Sequence, residues 1–196
     1  MFNTFLLFIS IIPFLIYFNK MRKLKLTTKE MVVVALFSAI SYMLSLIPVI
    51  KYPQDGGINM FSMLPLLLVS ILYSRKVGVT AGLITGLLSL LMGGYIVHPA
   101  QLILDYLLPE MALGLSDIFG KDSKKNIVIG SLVAVLISTL LHFISGIVFF
   151  GQFAPEGMNP VVYSFIYNFS GGGLEGVLSV GIIYMLPIAR LKKALN

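Results

Sequence analysis

Long apolar stretches, separated by short polar joints, run along the chain from about residue 30 onward. A membrane-spanning helix needs roughly 20 mostly apolar residues, because each residue advances the helix by about 1.5 Å. Six stretches approach that length, at about residues 30–50, 59–74, 77–93, 99–119, 127–150 and 161–189. The joints between them, such as KYPQDGG and GQFAPEGMNP, contain the Gly, Pro and Asn that suit turns. The pattern predicts an all-α fold, a polytopic membrane bundle of six transmembrane helices that forms one domain over residues 27–196.

The first eighteen residues, MFNTFLLFISIIPFLIYF, are also apolar. They lack a positively charged n-region, and no small-residue cleavage site precedes Lys20, which argues against a cleaved signal peptide. Two interpretations stay open: an extra N-terminal hydrophobic helix, or a non-essential extension ahead of a start at Met21. Residues 1–26 are therefore set apart as a hydrophobic N-terminal extension that ends in a basic segment.

Composition agrees with a membrane environment. Hydrophobic residues make up 58% of the chain and charged residues 11%, about half the charged share of a typical soluble domain. The absence of cysteine excludes disulfides and thiolate metal sites. The net charge of +6 would also be compatible with a nucleic-acid partner, so the positions of the charges have to decide between the two.

The basic residues occupy alternate joints of the predicted bundle. Of the fourteen, thirteen lie on one side of a six-helix arrangement, and only Lys51 lies on the other. Because positively charged loops are retained in the cytoplasm, both ends of the six-helix unit are predicted to be cytoplasmic in a multi-pass protein of the plasma membrane. The loops that contain Asp55, Tyr95 and Glu156 are then extracellular. The net charge reflects topology, and no nucleic-acid partner is predicted.

A few polar side chains fall within the apolar stretches, where each is costly and is a candidate for function. Asp117 lies near the end of its stretch, where solvation explains it. Glu110 follows a proline and Glu175 follows three glycines. For both, a structural role and a ligand role stay open. The remaining candidates are Asp105, His142 and Asn168.

Two features predict that several of these groups converge: their spacing along a helix, and the side of the membrane on which the helices begin and end. His142 and Gly146 lie four residues apart, on one helix face, where a glycine allows a flat ligand or another backbone to approach closely. The next helix begins from the same, outer side. An outward-facing pocket with aromatic walls and a few polar anchors, the usual lining of a small-molecule site, is predicted from Tyr95, Asp105, His142, Phe150, Tyr163 and Asn168.

Three segments of this sequence resemble those of a known family. They are GGYIVHPAQLILDYLL, HFISGIVFFGQFAPEGMNPVVYSFIYN and the ALFSA near the start of the first long stretch. Together they look like the thiamine-binding S components of energy-coupling factor (ECF) transporters, the ThiT or YuaJ type. The resemblance covers about residues 27–190.

The resemblance implies a six-helix substrate-binding subunit that works with a transmembrane coupling subunit and two cytoplasmic ATPase subunits. Ala35 and Ala39 match the small-residue face that meets the coupling subunit, and small residues do let helices approach closely. The matching pocket positions are Tyr95, Asp105, His142, Gly146, Tyr163 and Asn168. Phe150 and Glu175 are added as candidate substrate-binding residues.

Thiamine chemistry suggests a role for each group. The aminopyrimidine can form a two-point hydrogen bond with a carboxylate, which we assign to Asp105. The cationic thiazolium suits an aromatic face from Phe150 or Tyr163, worth about 0.5–2 kcal/mol. His142 and Asn168 would supply orienting hydrogen bonds.

The sequence departs from the family pattern at two places. Family members commonly carry a glutamate on the second helix, whereas NMFSMLP at residues 59–65 has no carboxylate, and Phe150 stands where tryptophan is common. Both changes remove affinity for a cation. The ligand can therefore be another small vitamin or a thiamine precursor, or Glu110 or Glu175 can replace the missing charge.

A polytopic membrane enzyme acting on lipid-linked substrates is the alternative from another class. The sequence contains no HExxH, no aspartate-rich metal motif and no P-loop. No catalytic residue, cofactor or metal is therefore predicted, and any ATP dependence has to come from partner subunits.

Overall fold

The computed structural model describes residues 2–23 and 25–195, without the side chains of residues 2–6, 21–23 and 55. The described chain is a bundle of helices with one short hairpin, which confirms the all-α fold class. Its α-helices are α1 Phe2–Lys23, α2 Thr28–Ser45, α3 Met63–Leu72, α4 Arg75–Leu91, α5 Pro99–Leu102, α6 Leu108–Leu113, α7 Lys124–Phe149, α8 Pro160–Asn168, α9 Leu174–Met185 and α10 Ile188–Leu195.

Polar caps explain where the two longest helices of the apolar stretches begin. At α2, Thr27 and Glu30 form a reciprocal capping box, in which the Thr27 N–H donates to the Glu30 carboxylate at 2.8 Å. At α7, Ser123 Oγ accepts from the Asn126 N–H at 3.1 Å. Each cap satisfies backbone donors that the first turn of a helix leaves unpaired.

Two π-helical turns join shorter helices into longer runs. The first, Ile103–Leu107, lies between α5 and α6, and the Leu108 N–H donates to the Ile103 carbonyl five residues earlier. Pro109 has no N–H to give to the Asp105 carbonyl, so a wider turn is accommodated here. The second, Phe169–Gly173, joins α8 to α9 through the three glycines, without breaking the run.

The first joint forms a hairpin rather than a simple turn. Strands β1, Pro48–Lys51, and β2, Gly57–Asn59, pair antiparallel. The predicted stretch 30–50 was thus too long, since helix α2 ends at Ser45 and Pro48 favours extended backbone. The Tyr52 hydroxyl donates to Ser170 Oγ at 3.2 Å, which holds the hairpin against the α8–α9 run.

The core of the bundle surrounds α3. This helix is short, yet its residues Leu66, Leu67, Val69 and Ile71 are fully buried. Helices α4 and α6 approach each other so closely that a side chain at Gly82 would collide with the backbone of α6. A second apolar cluster contains Leu104, Leu108 and Met111, and Phe14 and Tyr17 of α1 pack against it.

Helix α1 is attached to the bundle by a polar contact as well. The Tyr17 hydroxyl lies 2.9 Å from Thr80 Oγ1 on α4. Of the two interpretations of the N-terminal stretch, the structure therefore contains the extra helix. The division of the chain at residue 26 stays a prediction.

Helix length bears on the predicted number of spans. Each of the six stretches contains a helix. Among the described residues, however, only Thr28–Ser45 and Lys124–Phe149 are long and apolar enough to cross a membrane alone. A third span results if Pro160–Met185 is counted together with Ile188–Leu195, which is bent from it by 75°. The membrane bundle stands, and the count of six spans stays a prediction.

The basic joints meet at one end of the bundle, here called the basic end. Lys76 Nζ lies 2.9 Å from the Glu30 carboxylate, and Lys192 Nζ donates to the Lys121 carbonyl at 2.7 Å. The expectation that Asp117 is a solvated helix end is wrong: its side chain is 12% exposed and accepts from Arg75 Nε at 2.9 Å. An arginine from a neighbouring joint, which a single stretch does not reveal, neutralises it.

Candidate ligand site

A carboxylate–histidine pair lies at the centre of the candidate site. Asp105, in the first π-helical turn, points one oxygen toward His142 of α7, and Oδ1 and Nδ1 are 3.5 Å apart. The side chains are 17% and 30% exposed, so the pair is accessible without being fully solvated. Carboxylates and imidazoles within the helices of a membrane bundle are uncommon outside functional sites.

Gln101 holds this pair in place, and sequence reasoning missed it. Its side chain is 1% exposed, and Nε2 donates to the second Asp105 oxygen at 2.8 Å and to the Tyr95 carbonyl at 3.2 Å. Its Oε1 accepts from the Val97 N–H. The signal was present in the sequence, because Gln101 and Asp105 lie four residues apart and share one helix face.

Aromatic rings lie beside this cluster. The rings of Tyr95 and Phe150 are 6.4 Å apart between centroids, and Phe153 stacks on Phe150 at 6.2 Å. His98, by contrast, caps α5 by accepting from the Ala100 N–H. Tyr95 and Phe150 thus come from distant parts of the chain to form one aromatic wall.

Gly146 allows α7 and α8 to pack closely. A Cβ at Gly146 would collide with Ser164 Oγ and would lie 3.1 Å from Asn168 Nδ2. Asn168 donates from the same nitrogen to the Ser164 carbonyl at 2.9 Å. Of the two uses considered for this glycine, the structure shows the approach of another helix.

Tyr163 makes its described contacts with the hairpin. Its hydroxyl donates to Gln54 Oε1 at 3.3 Å, and its ring lies 5.7 Å from that of Tyr167. Gln54 adopts a positive φ of 55°, which is uncommon for a residue with a side chain. The hairpin therefore covers the start of α8 on the side of Tyr163.

Glu175 holds the connection between β2 and α3. It is 2% exposed, and its carboxylate accepts from the Asn59 N–H at 2.8 Å and the Ser62 hydroxyl at 2.7 Å. The segment NMFSMLP, which has no carboxylate of its own, thus receives one from α9. Both carboxylate oxygens of Glu175 therefore already accept hydrogen bonds within the protein.

Glu110 is different, since its carboxylate is uncommitted. It is half-buried and interacts electrostatically with His142 and with Glu175. No hydrogen bond to its carboxylate is found among the described residues. Of the two glutamates proposed to replace the missing charge, Glu110 is the one with oxygens left for a ligand.

The predicted site residues thus form three contact groups. Asp105 touches His142, Tyr95 faces Phe150, and Gly146 packs beside Asn168, whereas Tyr163 and Glu175 make their contacts with the hairpin and its connection to α3. Ala35 and Ala39 lie on an exposed face of α2. Two cavities of the described chain, one between α7 and α9 and one beside α1, are lined by other residues.

A helical membrane bundle that gathers acidic, imidazole and aromatic groups on a few neighbouring helices is typical of membrane proteins that bind small molecules. The sequence profile of the thiamine transporter protein family (Thia_YuaJ) matches residues 31–195. The chain belongs to this family. The family is one of transporters rather than enzymes, so the alternative of a membrane enzyme on lipid-linked substrates is set aside.

Individual relatives agree with this assignment. The chain is 34% identical over 154 residues to the thiamine transporter ThiT of Bacillus subtilis, covering 71% of this chain and 80% of that protein. It is 25% identical over 177 residues to ThiT of Lacticaseibacillus paracasei, covering 81% and 88%. The solved structure of ThiT from Listeria monocytogenes has the same fold, with a TM-score of 0.71 at 24% identity over 83% of this chain and 96% of that one.

Proposed function

We propose that the chain is the substrate-binding S subunit of an ECF-type importer and that it binds thiamine. The Asp105–His142 pair, held by Gln101, is the observation that carries the proposal. It places an ionisable acceptor beside an imidazole within the part of the chain that matches the family. The relatives of this chain are thiamine transporters by name.

Asp105 has the capacity to bind the aminopyrimidine. A carboxylate offers about four lone-pair positions, of which Gln101 uses one and His142 faces another. The remaining positions can accept from the exocyclic amino group and the protonated ring nitrogen. His142 then orients the carboxylate, and Asn168 is the polar anchor supplied by α8.

The thiazolium cation is stabilised by an aromatic face or by an anionic group. The aromatic wall of Tyr95 and Phe150 can supply a cation–π contact of about 0.5–2 kcal/mol. Glu110, with no hydrogen bond from the described residues, is the carboxylate we assign to compensate for the missing glutamate of the second helix. Glu175 and Tyr163 are assigned a supporting role, because they fix the hairpin.

The partners follow from the same proposal. The exposed small-residue face around Ala35 and Ala39 is assigned to the transmembrane coupling subunit, which would connect the chain to two cytoplasmic ATPase subunits. The basic end would face the cytoplasm of the cell, and the hairpin end would face outward, in the plasma membrane. Thiamine would be captured outside and delivered inside.

Thermal unfolding of the purified chain against a ligand panel tests the proposal. A ligand that binds only the folded protein raises its melting temperature by mass action, without ATP. Thiamine should raise it. A rise with the pyrimidine precursor or thiamine monophosphate alone would favour the precursor alternative, and a rise with riboflavin or biotin but none of these three would overturn the thiamine assignment.

A further inference from the structure

A cavity of about 560 Å³ lies between α1 and the rest of the bundle, and none of the candidate ligand residues lines it, although Met111 and Leu141 are chain neighbours of Glu110 and His142. Its volume falls within the range of about 300–1,000 Å³ typical of small-ligand sites. Its body is apolar, with walls that include Ile16 of α1, Leu108 and Met111 of α6, and Leu141 of α7.

Cations line one end of this cavity. Lys20, Arg75 and Lys76 all belong to its wall. Lys76 pairs with Glu30 and Arg75 pairs with Asp117, so two of the three charges are balanced within the protein. Lys20 pairs with no carboxylate whose side chain the structure describes. Among the described side chains, three cations less two carboxylates leave a net charge of +1 at this rim.

The position of the cationic rim along the bundle can be given relative to one hydrogen bond. The Tyr17 hydroxyl lies 2.9 Å from Thr80 Oγ1 and joins α1 to α4. Lys20 and Lys76 each lie about one helical turn, or about 5 Å, beyond this bond toward the basic end. The outer face of α1 is apolar and exposed, so the surroundings of the cavity along α1 are hydrocarbon rather than water.

We propose that this cavity binds one anionic phospholipid from the leaflet that the basic end faces. The phosphodiester would pair with Lys20 and with guanidinium N–H groups of Arg75 that the bonds to Asp117 leave available. An acyl chain would lie against Ile16, Leu108 and Met111. The single negative charge of a phosphatidylglycerol headgroup matches the net charge of the rim, and basic pockets between membrane helices are known to select anionic headgroups. The matched family region begins only at residue 31, so Ile16, Tyr17 and Lys20 lie outside it.

Native mass spectrometry of the full chain tests the site. The protein is purified, equilibrated with equal amounts of phosphatidylglycerol and phosphatidylcholine of identical acyl chains, and the retained lipid is identified. Phosphatidylglycerol should be retained preferentially. Lys20→Gln should reduce that preference about fivefold, the ratio expected for one basic side chain near an anionic lipid.

Two further variants make the result decisive. Lys193→Gln removes the same charge from the exposed face of α10 at the basic end and should leave the preference unchanged. Ile16→Trp should fill the cavity and reduce retention of both lipids, with unchanged thermal unfolding as the check on folding. Equal retention of the two lipids by the wild type, an unaltered preference in Lys20→Gln, or an equal loss in Lys193→Gln would overturn the proposal.

Discussion

Asp105 is the residue on which ligand recognition is expected to depend most. It has one oxygen bonded to Gln101 and the other directed at His142, so its position is set before any ligand arrives. A preorganised carboxylate loses little conformational entropy on binding. Its charge, rather than its shape, is then the property that a substitution should test.

Asp105→Asn should weaken thiamine binding strongly. The variant keeps the shape but exchanges an acceptor for a donor, so a buried ligand group is left mismatched. Loss of one partner of a buried hydrogen-bonded charge typically costs about 2–5 kcal/mol, or roughly 30- to several-thousand-fold in affinity. Calorimetry measures the affinity, and the exposed Asp122→Asn serves as the matched control. Near-normal binding by a folded Asp105→Asn protein would remove this residue from the site.

The same substitution should affect different properties at the two glutamates: ligand affinity at Glu110 and folding stability at Glu175. Glu110→Gln should lower affinity roughly tenfold or more with little effect on unfolding, because no described residue hydrogen-bonds to its carboxylate, which leaves it available for a ligand. Glu175→Gln should lower the free energy of unfolding by about 1–3 kcal/mol, because one of the two oxygens that accept from Asn59 and Ser62 is replaced by a donor and the charge is lost. Paired calorimetry and thermal unfolding separate the two roles, and a reversed pattern would exchange their assignments.

At the scale of elements, α1 is the part whose role most needs a test. It packs on the cluster of Leu104, Leu108 and Met111 through Phe14 and Tyr17, so its removal exposes apolar surface. It also packs on α5 and the first π-helical turn, which carry Gln101 and Asp105, but none of its described side chains hydrogen-bonds to a candidate ligand residue. We therefore expect α1 to contribute to stability and to support these segments from behind, without contacting the ligand.

A chain that begins at Met21 should accordingly still bind thiamine, but with a lower melting temperature. The hydrogen bond between Tyr17 and Thr80 is lost, and the surfaces of α4 and α6 that α1 covers become exposed to lipid or detergent. Tyr17→Phe is the milder variant, which removes that bond alone. If the shortened chain does not fold, or folds without binding, α1 is a necessary element of the bundle.

For the whole molecule, the distribution of charge predicts orientation. The basic joints converge at one end of the bundle, and the hairpin lies near α8, which starts just after Glu156. From the positive-inside rule we predict that Lys124 lies in the cytoplasm and Glu156 outside.

Cysteine labelling measures this orientation directly. The chain has no cysteine, so single Lys124→Cys and Glu156→Cys variants can be labelled without background. A membrane-impermeant reagent added to intact cells should modify only the second. Modification of position 124 alone would reverse the topology, and with it the direction of transport that we propose.

The sequence by itself determined the helical membrane bundle, and it indicated candidate site residues whose roles stay predictions. Apolar stretches and basic joints are local properties, set by the need to match a bilayer, and they indicated the helices without reference to the fold. The motif around Asp105 and the spacing of His142 and Gly146 are likewise local. The family assignment rested on the same segments, which the comparisons confirmed.

Only the tertiary structure decided how the polar groups are paired. Glu175 meets Asn59 across 116 positions of the chain, and Arg75 meets Asp117 across 42. Such partners depend on which helices pack together, and no single stretch carries that information. Tertiary packing likewise brings donors to Glu175 but, within the described part of the chain, none to the carboxylate of Glu110, because a buried carboxylate bonds to whichever donors the neighbouring elements bring within reach.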